Sequence, residues 1–342
     1  MNFFEFVQQN WRDILALTGE HLFLVLVSTA LAVAVGLPVG LLLTRREALK
    51  RPVLGVANVL QTVPSLALFA FLIPIKWVGI GWRPAIIALF LYALLPIIRN
   101  TVAGVEGVDR SVRETAVAMG MTGGQILRQV ELPLAAPVVL AGVRVAAVIS
   151  VGVATIAAFI GAGGLGVYIQ RGLRQYDQNL LLAGAVPAAL LALAADASIG
   201  LLESRLDARR RGALAPRKWG AISRRLAWAA LALVVVIGAA SAAWRGTRKA
   251  DVVVGSKDFT ESVILGEMLA QTLEAEGLKV TRRFELGGTI AHDSLVAGEV
   301  DVYPEYTGTS LIDILKHPPA TDARAVYERV KADYASRFDV EV

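Results

Sequence analysis

The 342-residue sequence is 55% hydrophobic and only 18% charged, with a mean hydropathy of +0.58; ordinary soluble proteins carry about 25% charged residues, so most of this chain belongs in a membrane. It has no cysteine, which excludes disulfides and thiolate metal sites, and its three histidines, His21, His292 and His317, lack metal-ligand spacing. The net charge of +5 conceals a split: residues 1–250 hold 25 Lys/Arg against 12 Asp/Glu, a net of +13, and residues 251–342 hold 9 against 17, a net of −8. Two regions in two environments are implied, and the basic excess is that of membrane loops rather than of a nucleic-acid-binding surface.

In chain order, residues 21–43 and 53–75 contain no Lys, Arg, Asp or Glu, and each is long enough to cross the ~30 Å hydrocarbon layer. A shorter span is predicted over 84–98, extended by WVGIGW, whose Trp77 and Trp82 suit the interface. Pro64, Pro74 and Pro96 fall within or at the ends of these spans and permit kinks. Further spans follow near 134–160 and 179–202; their Arg144 and Asp196 are expected to snorkel from near the cytoplasmic ends. GAGGLG, from Gly161 to Gly166, fits a dinucleotide fingerprint literally, but it follows a membrane span instead of a strand and reads as a tight turn. The segment 226–244 is charge-free, and with its basic start and small-residue end it resembles a secretory signal retained as an anchor.

Between the spans lies a polar stretch, ETAVAMGMTGGQILRQVELP, from Glu114 to Pro133. Ser111-x-x-Glu114 is a capping box that would open one helix, Gly120 suits a left-handed end, and Thr122-x-x-Gln125 would open a second helix stopping at Pro133. Ala116, Val117, Met119, Ile126, Leu127 and Val130 give this elbow apolar surface. Physics alone leaves two readings open: a helix lying on lipid headgroups with Glu114 as a cap, or a docking surface for a partner. If the elbow is cytoplasmic, the inside loops at 44–52, 99–131 and 204–225 hold 16 Lys/Arg and the outside loops only Arg12, Lys76, Arg83, Arg171 and Arg174. That distribution favours a cytoplasmic elbow and an external acidic C-terminal region.

The spacing E-T-A-x3-G-x9-V-x-L-P resembles the cytoplasmic coupling motif of ABC importer permeases, with Glu114, Ala116, Gly120, Leu132 and Pro133 matching. The resemblance implies an all-α polytopic membrane domain of five or six helices whose elbow docks on a separate ATPase subunit. The chain itself carries no G-x-x-x-x-G-K-[S/T] phosphate loop. QTVPSLALFAFLIPI and ALFLYALLPIIRNT resemble the permeases of glycine betaine, carnitine and choline importers in particular.

Past residue 250 the periodicity changes. DVVVGSKDFTE reads as a strand and loop, Thr260 can cap a helix over 261–276, KVTRRFEL is a second strand, residues 290–297 form a helix, and DVYPEYTGTSLIDIL supplies a third strand, loop and helix. This order predicts an α/β domain with its ligand at the carboxyl ends of the strands. SKDFTE and YPEYTGT resemble the cleft loops of the type II periplasmic binding proteins of the same importers. By that resemblance, Tyr306 would form one wall of an aromatic cage for a quaternary ammonium, Lys257 and Thr309 would hold the ligand carboxylate, and Tyr303 would belong to the core.

The expected organisation is a permease domain over 1–205, a basic linker over 206–225, an anchor over 226–244, and an extracytoplasmic binding domain over 250–342. Its 92 residues are too few for two lobes of ordinary size, so the chain is expected to be a piece of a longer fusion, the alternative being a truncated protein unable to close on its ligand. The expected partners are a cytoplasmic ATPase, a second permease copy, a small quaternary ammonium ligand and the bilayer of a bacterial inner membrane; no cofactor, metal or catalytic residue is expected. Two alternatives are an ergothioneine importer of the same architecture and a ligand-sensing receptor without transport. The receptor would need a cytoplasmic effector domain, for which no inside loop is large enough, and no paired carboxylates, His cluster or nucleophile constellation suggests an enzyme.

Overall fold

The computed structural model describes residues 2–75, 77–210 and 251–342, so the expected anchor at 226–244 and the linker beyond residue 210 lie outside the described residues. The chain divides into two compact units: one takes its described residues from 2–68, 85–158 and 163–210, the other from 69–84, 159–162 and 251–342.

The first unit is helical. Helix α1 (Phe3–Leu43) opens on a capping box in which Asn2 and Glu5 serve each other's backbone N–H. It starts well ahead of the span expected from His21, because Phe3 to Thr18 contains neither glycine nor proline to stop it. The expected continuous span at 53–75 is instead broken: α2 (Glu47–Thr62) and α3 (Ser65–Leu72) meet at 99°. Val63 is extended, as the residue before Pro64 tends to be, and the Tyr92 hydroxyl donates to the carbonyl of Val63 at the break. Helix α4 (Trp82–Glu106) includes the extension anticipated from Trp82. The elbow contributes α5 (Arg110–Ala118) and the short α6 (Gly123–Gln125). After it come α7 (Leu132–Ile156), α8 (Gly166–Gln175) and α9 (Gln178–Arg210). Among the described residues four helices are long and apolar enough to cross a membrane, five if the bent pair counts as one span.

Glycines set the helix spacing. A Cβ on Gly40 would lie 2.6 Å from the Thr101 Cβ, and one on Gly142 would lie 2.5 Å from the Asn100 Cβ and 2.7 Å from the Pro96 carbonyl oxygen. Close backbone approach of this kind is how spans gain packing when lipid removes the hydrophobic drive. Arg144 and Asp196 do not merely snorkel: the guanidinium of α7 grips the α9 carboxylate through two bonds, Nη2 to Oδ2 at 2.6 Å, with Glu203 at 3.7 Å. In the tight turn expected at GAGGLG, Gly161, Gly163 and Gly164 have φ of 71°, 79° and 81°, in the left-handed region open to glycine. The Gly164 N–H donates to the Glu20 carboxylate at 2.9 Å.

The second unit is α/β. Strands β1 (Val252–Lys257) and β2 (Val280–Leu286) pair in parallel from Val252↔Val280 to Gly255↔Arg283, joined by the crossover helix Thr260–Ala275. The third strand is reduced to a single parallel bridge, Val254↔Val302. Thr260 is the first helical residue instead of the cap, a position taken by Phe259 without a side-chain bond. Helices Ile290–Val296 and Ala323–Phe338 complete the unit, in which Ile80 packs with Leu286, Ala291 and Val300.

Replacing Gly142 by valine forces α7 away from α4, and overpacking of this kind costs about 1–3 kcal/mol. The expected outcome is a lower midpoint of thermal unfolding in detergent for Gly142→Val; an unchanged midpoint contradicts the close approach.

Candidate functional site

The residues singled out from the sequence fall in two constellations, the elbow in the first unit and the loops at the strand ends in the second. The elbow opens with α5. Its cap is Asp109, whose carboxylate accepts the Ser111 N–H at 2.8 Å, so the expected Ser111–Glu114 capping box does not form and the helix starts earlier. Glu114 instead pairs with Arg110 at 2.8 Å on an exposed face, an arrangement worth little to stability. At the far end Gly120 has a φ of 77°, and the bonds Gly120 N–H to Val117 O (2.9 Å) and Met121 N–H to Ala116 O (3.2 Å) close the helix as a Schellman turn.

The second arm opens as expected. The Thr122 N–H donates to Gln125 Oε1 at 2.7 Å and the Gln125 N–H to Thr122 Oγ1 at 3.4 Å, capping α6. The helix does not stop at Pro133. It widens into a π-helical turn over Ile126–Glu131 and continues as α7, with Pro133 in its first turn, where a missing N–H is tolerated. Ala116 and Ile126 turn inward, whereas Val117 is 62% and Met119 76% exposed. Leu132 is half-buried and Pro133 exposed. The result is two helical arms at a fixed bend, presenting an apolar ridge beside the Glu114 carboxylate. Sequence reasoning missed Glu131, which is buried in this elbow; the motif leaves its position open.

In the second unit the polar core is built around Glu305. Lys257, only 6% exposed, places Nζ 2.6 Å from Glu305 Oε1. The same oxygen accepts the Tyr306 N–H at 2.8 Å, and Glu305 Oε2 accepts the Tyr303 hydroxyl at 2.7 Å. Lys257 therefore already has a carboxylate partner, an arrangement the sequence did not reveal. Burial beside Glu305 pushes the Tyr303 hydroxyl far above the usual phenol range. Tyr303 packs with the Leu286 and Val300 cluster, as expected of a core residue. Tyr306 ends the loop as N-cap of the turn Thr307–Thr309, in which Thr309 is half-buried. Its ring lies 5.5 Å from that of Phe259, tilted by 50°. Phe259 was not singled out from sequence, although it sits in the same SKDFTE loop. Among the described residues no group of His, Cys, Asp and Glu could hold a metal ion.

The elbow leading into α7, the apolar spans and the parallel α/β unit together define the membrane permease subunit of a solute importer joined to a solute-binding domain. The family of binding-protein-dependent transport system inner membrane components matches residues 33–208, and the substrate-binding domain of ABC-type glycine betaine transport systems matches residues 250–342. The chain belongs to the former family and carries a domain of the latter as a fusion.

Relatives divide along the same line. The carnitine transport permease protein OpuCB of Listeria monocytogenes is 49% identical over 201 residues, covering 59% of this chain and 91% of that one. The glycine betaine/carnitine/choline permease OpuCB of Bacillus subtilis is 43% identical and covers 59% and 92%. The ergothioneine transport permease/ergothioneine binding protein EgtU of Helicobacter pylori is 36% identical over 84% of this chain, which spans 52% of that protein's length. Among solved structures, an inward-facing form of the MetNI methionine ABC transporter aligns with a TM-score of 0.51 and 28% identity, over 55% of this chain and 93% of that one.

His292, in the second unit, is buried with its ring 5.3 Å from Tyr334 and 4.6 Å from Phe338. Desolvation lowers its pKa below the ordinary 6.5. A histidine held neutral when folded contributes stability above its unfolded pKa, and that contribution is lost as pH falls below about 6.5 towards the folded value. Thermal melts of the wild type are expected to weaken between pH 7.5 and 5, and His292→Phe, which keeps the ring contacts, is expected to flatten that interval. An equally steep loss in His292→Phe contradicts the assignment.

Proposed function

We propose that this chain is the permease and tethered binding subunit of an ATP-driven importer of quaternary ammonium solutes such as glycine betaine, choline or carnitine. It works in the inner membrane with a second permease copy and a separate cytoplasmic ATPase. The observation that carries the reading is the elbow: a bend fixed by the Asp109, Gly120 and Thr122–Gln125 caps, with Val117, Met119 and Glu114 outward. Such a ridge in a polar loop is suited to a groove on a partner. The 16 Lys/Arg of the loops on the elbow's side support a cytoplasmic position for it.

In the binding unit, Phe259 and Tyr306 offer two ring faces at 5.5 Å. A trimethylammonium group donates no strong hydrogen bond, and ring faces hold it by cation–π attraction. Lys257 and Thr309, near the strand end and the following turn, serve the carboxylate of ligands that carry one, such as glycine betaine and carnitine; Lys257 does so while shared with Glu305. An ergothioneine importer is the second reading, favoured by the relative that matches across both halves of the chain; a trimethylated histidine betaine suits the same rings.

Calorimetric titration of the purified chain with glycine betaine, choline, carnitine and ergothioneine tests the substrate class. Phe259→Ala and Tyr306→Ala are each expected to weaken the best ligand by about 2- to 30-fold, the equivalent of one cation–π face; indifference to both, or preference for an anionic solute, contradicts it. For the elbow, Val117→Asp puts a charge on the apolar ridge and is expected to lower recovery of the ATPase with the affinity-purified chain by at least about tenfold. Unchanged recovery contradicts docking there.

A further inference from the structure

The elbow motif leaves the position between Val130 and Leu132 open to any residue, yet here it holds Glu131, which is 1% exposed. Its Oε2 accepts from Arg45 Nη2, and its Oε1 lies 3.1 Å from Arg113 Nε. Arg45 stands two residues beyond the end of α1, and Arg113 belongs to α5, the first arm of the elbow. The Nη2 of Arg113 also donates to the carbonyl of Val105, in the last turn of α4. One buried carboxylate thus ties the second arm of the elbow to the first arm, to the end of α1 and, through Arg113, to the end of α4.

The π-helical turn Ile126–Glu131 positions this group, because the wider turn ends at Glu131 and passes directly into α7. Separating a buried charge from its partners is strongly unfavourable, so the ends of α1 and α4 and the two arms of the elbow move as a piece or the carboxylate must find new partners. The exposed Arg110–Glu114 pair imposes no comparable constraint.

We propose that Glu131 is the positioning residue through which movement of the elbow reaches α1 and α4. The proposal rests on the importer reading. Glu131 does not touch the ATPase or the solute; it fixes the lever that the ATPase pulls. The chain contains no cysteine, so cysteines introduced at 45 and 131 are the thiols of this sequence that a bridging reagent can join, and bridging is done before the ATPase is added.

The test is the chain reconstituted in vesicles with its ATPase, reading solute uptake per ATP hydrolysed. Glu131→Gln, close in shape but uncharged, is expected to lower that ratio about tenfold, within the coupling energies of residues that link two sites. Arg45→Gln, at a half-exposed position and thus less exposed to misfolding, is expected to lower it in the same direction. In the double variant Arg45→Cys/Glu131→Cys, bridging with a short bis-maleimide is expected to restore the ratio relative to the unbridged protein. A ratio unchanged in both single variants, or a bridged double variant no better coupled than the unbridged one, overturns the proposal. A wild-type chain that recruits no ATPase defeats the importer reading instead.

Discussion

Hydrocarbon offers no water to a backbone N–H or C=O, so each must find its partner inside the chain. That constraint makes the first unit helical and decides how its helices are interrupted. Prolines sit inside α1, α2, α4, α7 and α9, and a helix can keep them only where freed carbonyls are answered. The break at Val63–Pro64 meets the demand with the Tyr92 hydroxyl; the passage into α7 meets it by widening into a π turn ahead of Pro133. The elbow can bend because its ends are capped by Asp109, by the Gly120 turn and by the Thr122–Gln125 box.

Charge is used differently by depth. At the surface, Arg110 and Glu114 pair where water screens them, leaving α5 little constrained by them. Arg144 clamps Asp196 across α7 and α9 at a partly exposed position, and deeper, the buried Glu131 gathers Arg45 and Arg113. The second unit repeats the device on a smaller scale: Glu305 takes up Lys257, the Tyr303 hydroxyl and the Tyr306 N–H, which fixes the loop from which Tyr306 faces Phe259. A ring held this way loses little freedom on meeting a ligand, the basis of preorganised recognition.

Much of this was legible in the residues themselves. The apolar runs at 21–43, 84–98, 134–160 and 179–202 fall in long membrane helices, Gly120 and Thr122–Gln125 marked the elbow's bend, and the change of periodicity after residue 250 marked an α/β unit with two of its strands. What was not legible depends on tertiary contact. Asp109 outcompetes Ser111 for the cap, a contest between two good capping residues two positions apart. The 99° break needs a partner for a freed carbonyl that lies 29 residues away at Tyr92. Glu131 was not singled out because both its partners are distant or in another arm, and neither was Glu305, whose partner Lys257 was.

The central claim is that the elbow faces the cytoplasm as the grip of a separate ATPase. Absence of natural cysteines allows a single thiol to be placed at Met119, 76% exposed on the ridge, and labelled with a membrane-impermeant maleimide. The account predicts no labelling in intact cells, labelling in inverted vesicles stripped of the ATPase, and protection when the ATPase is added back. Labelling of Met119→Cys from outside intact cells would contradict it.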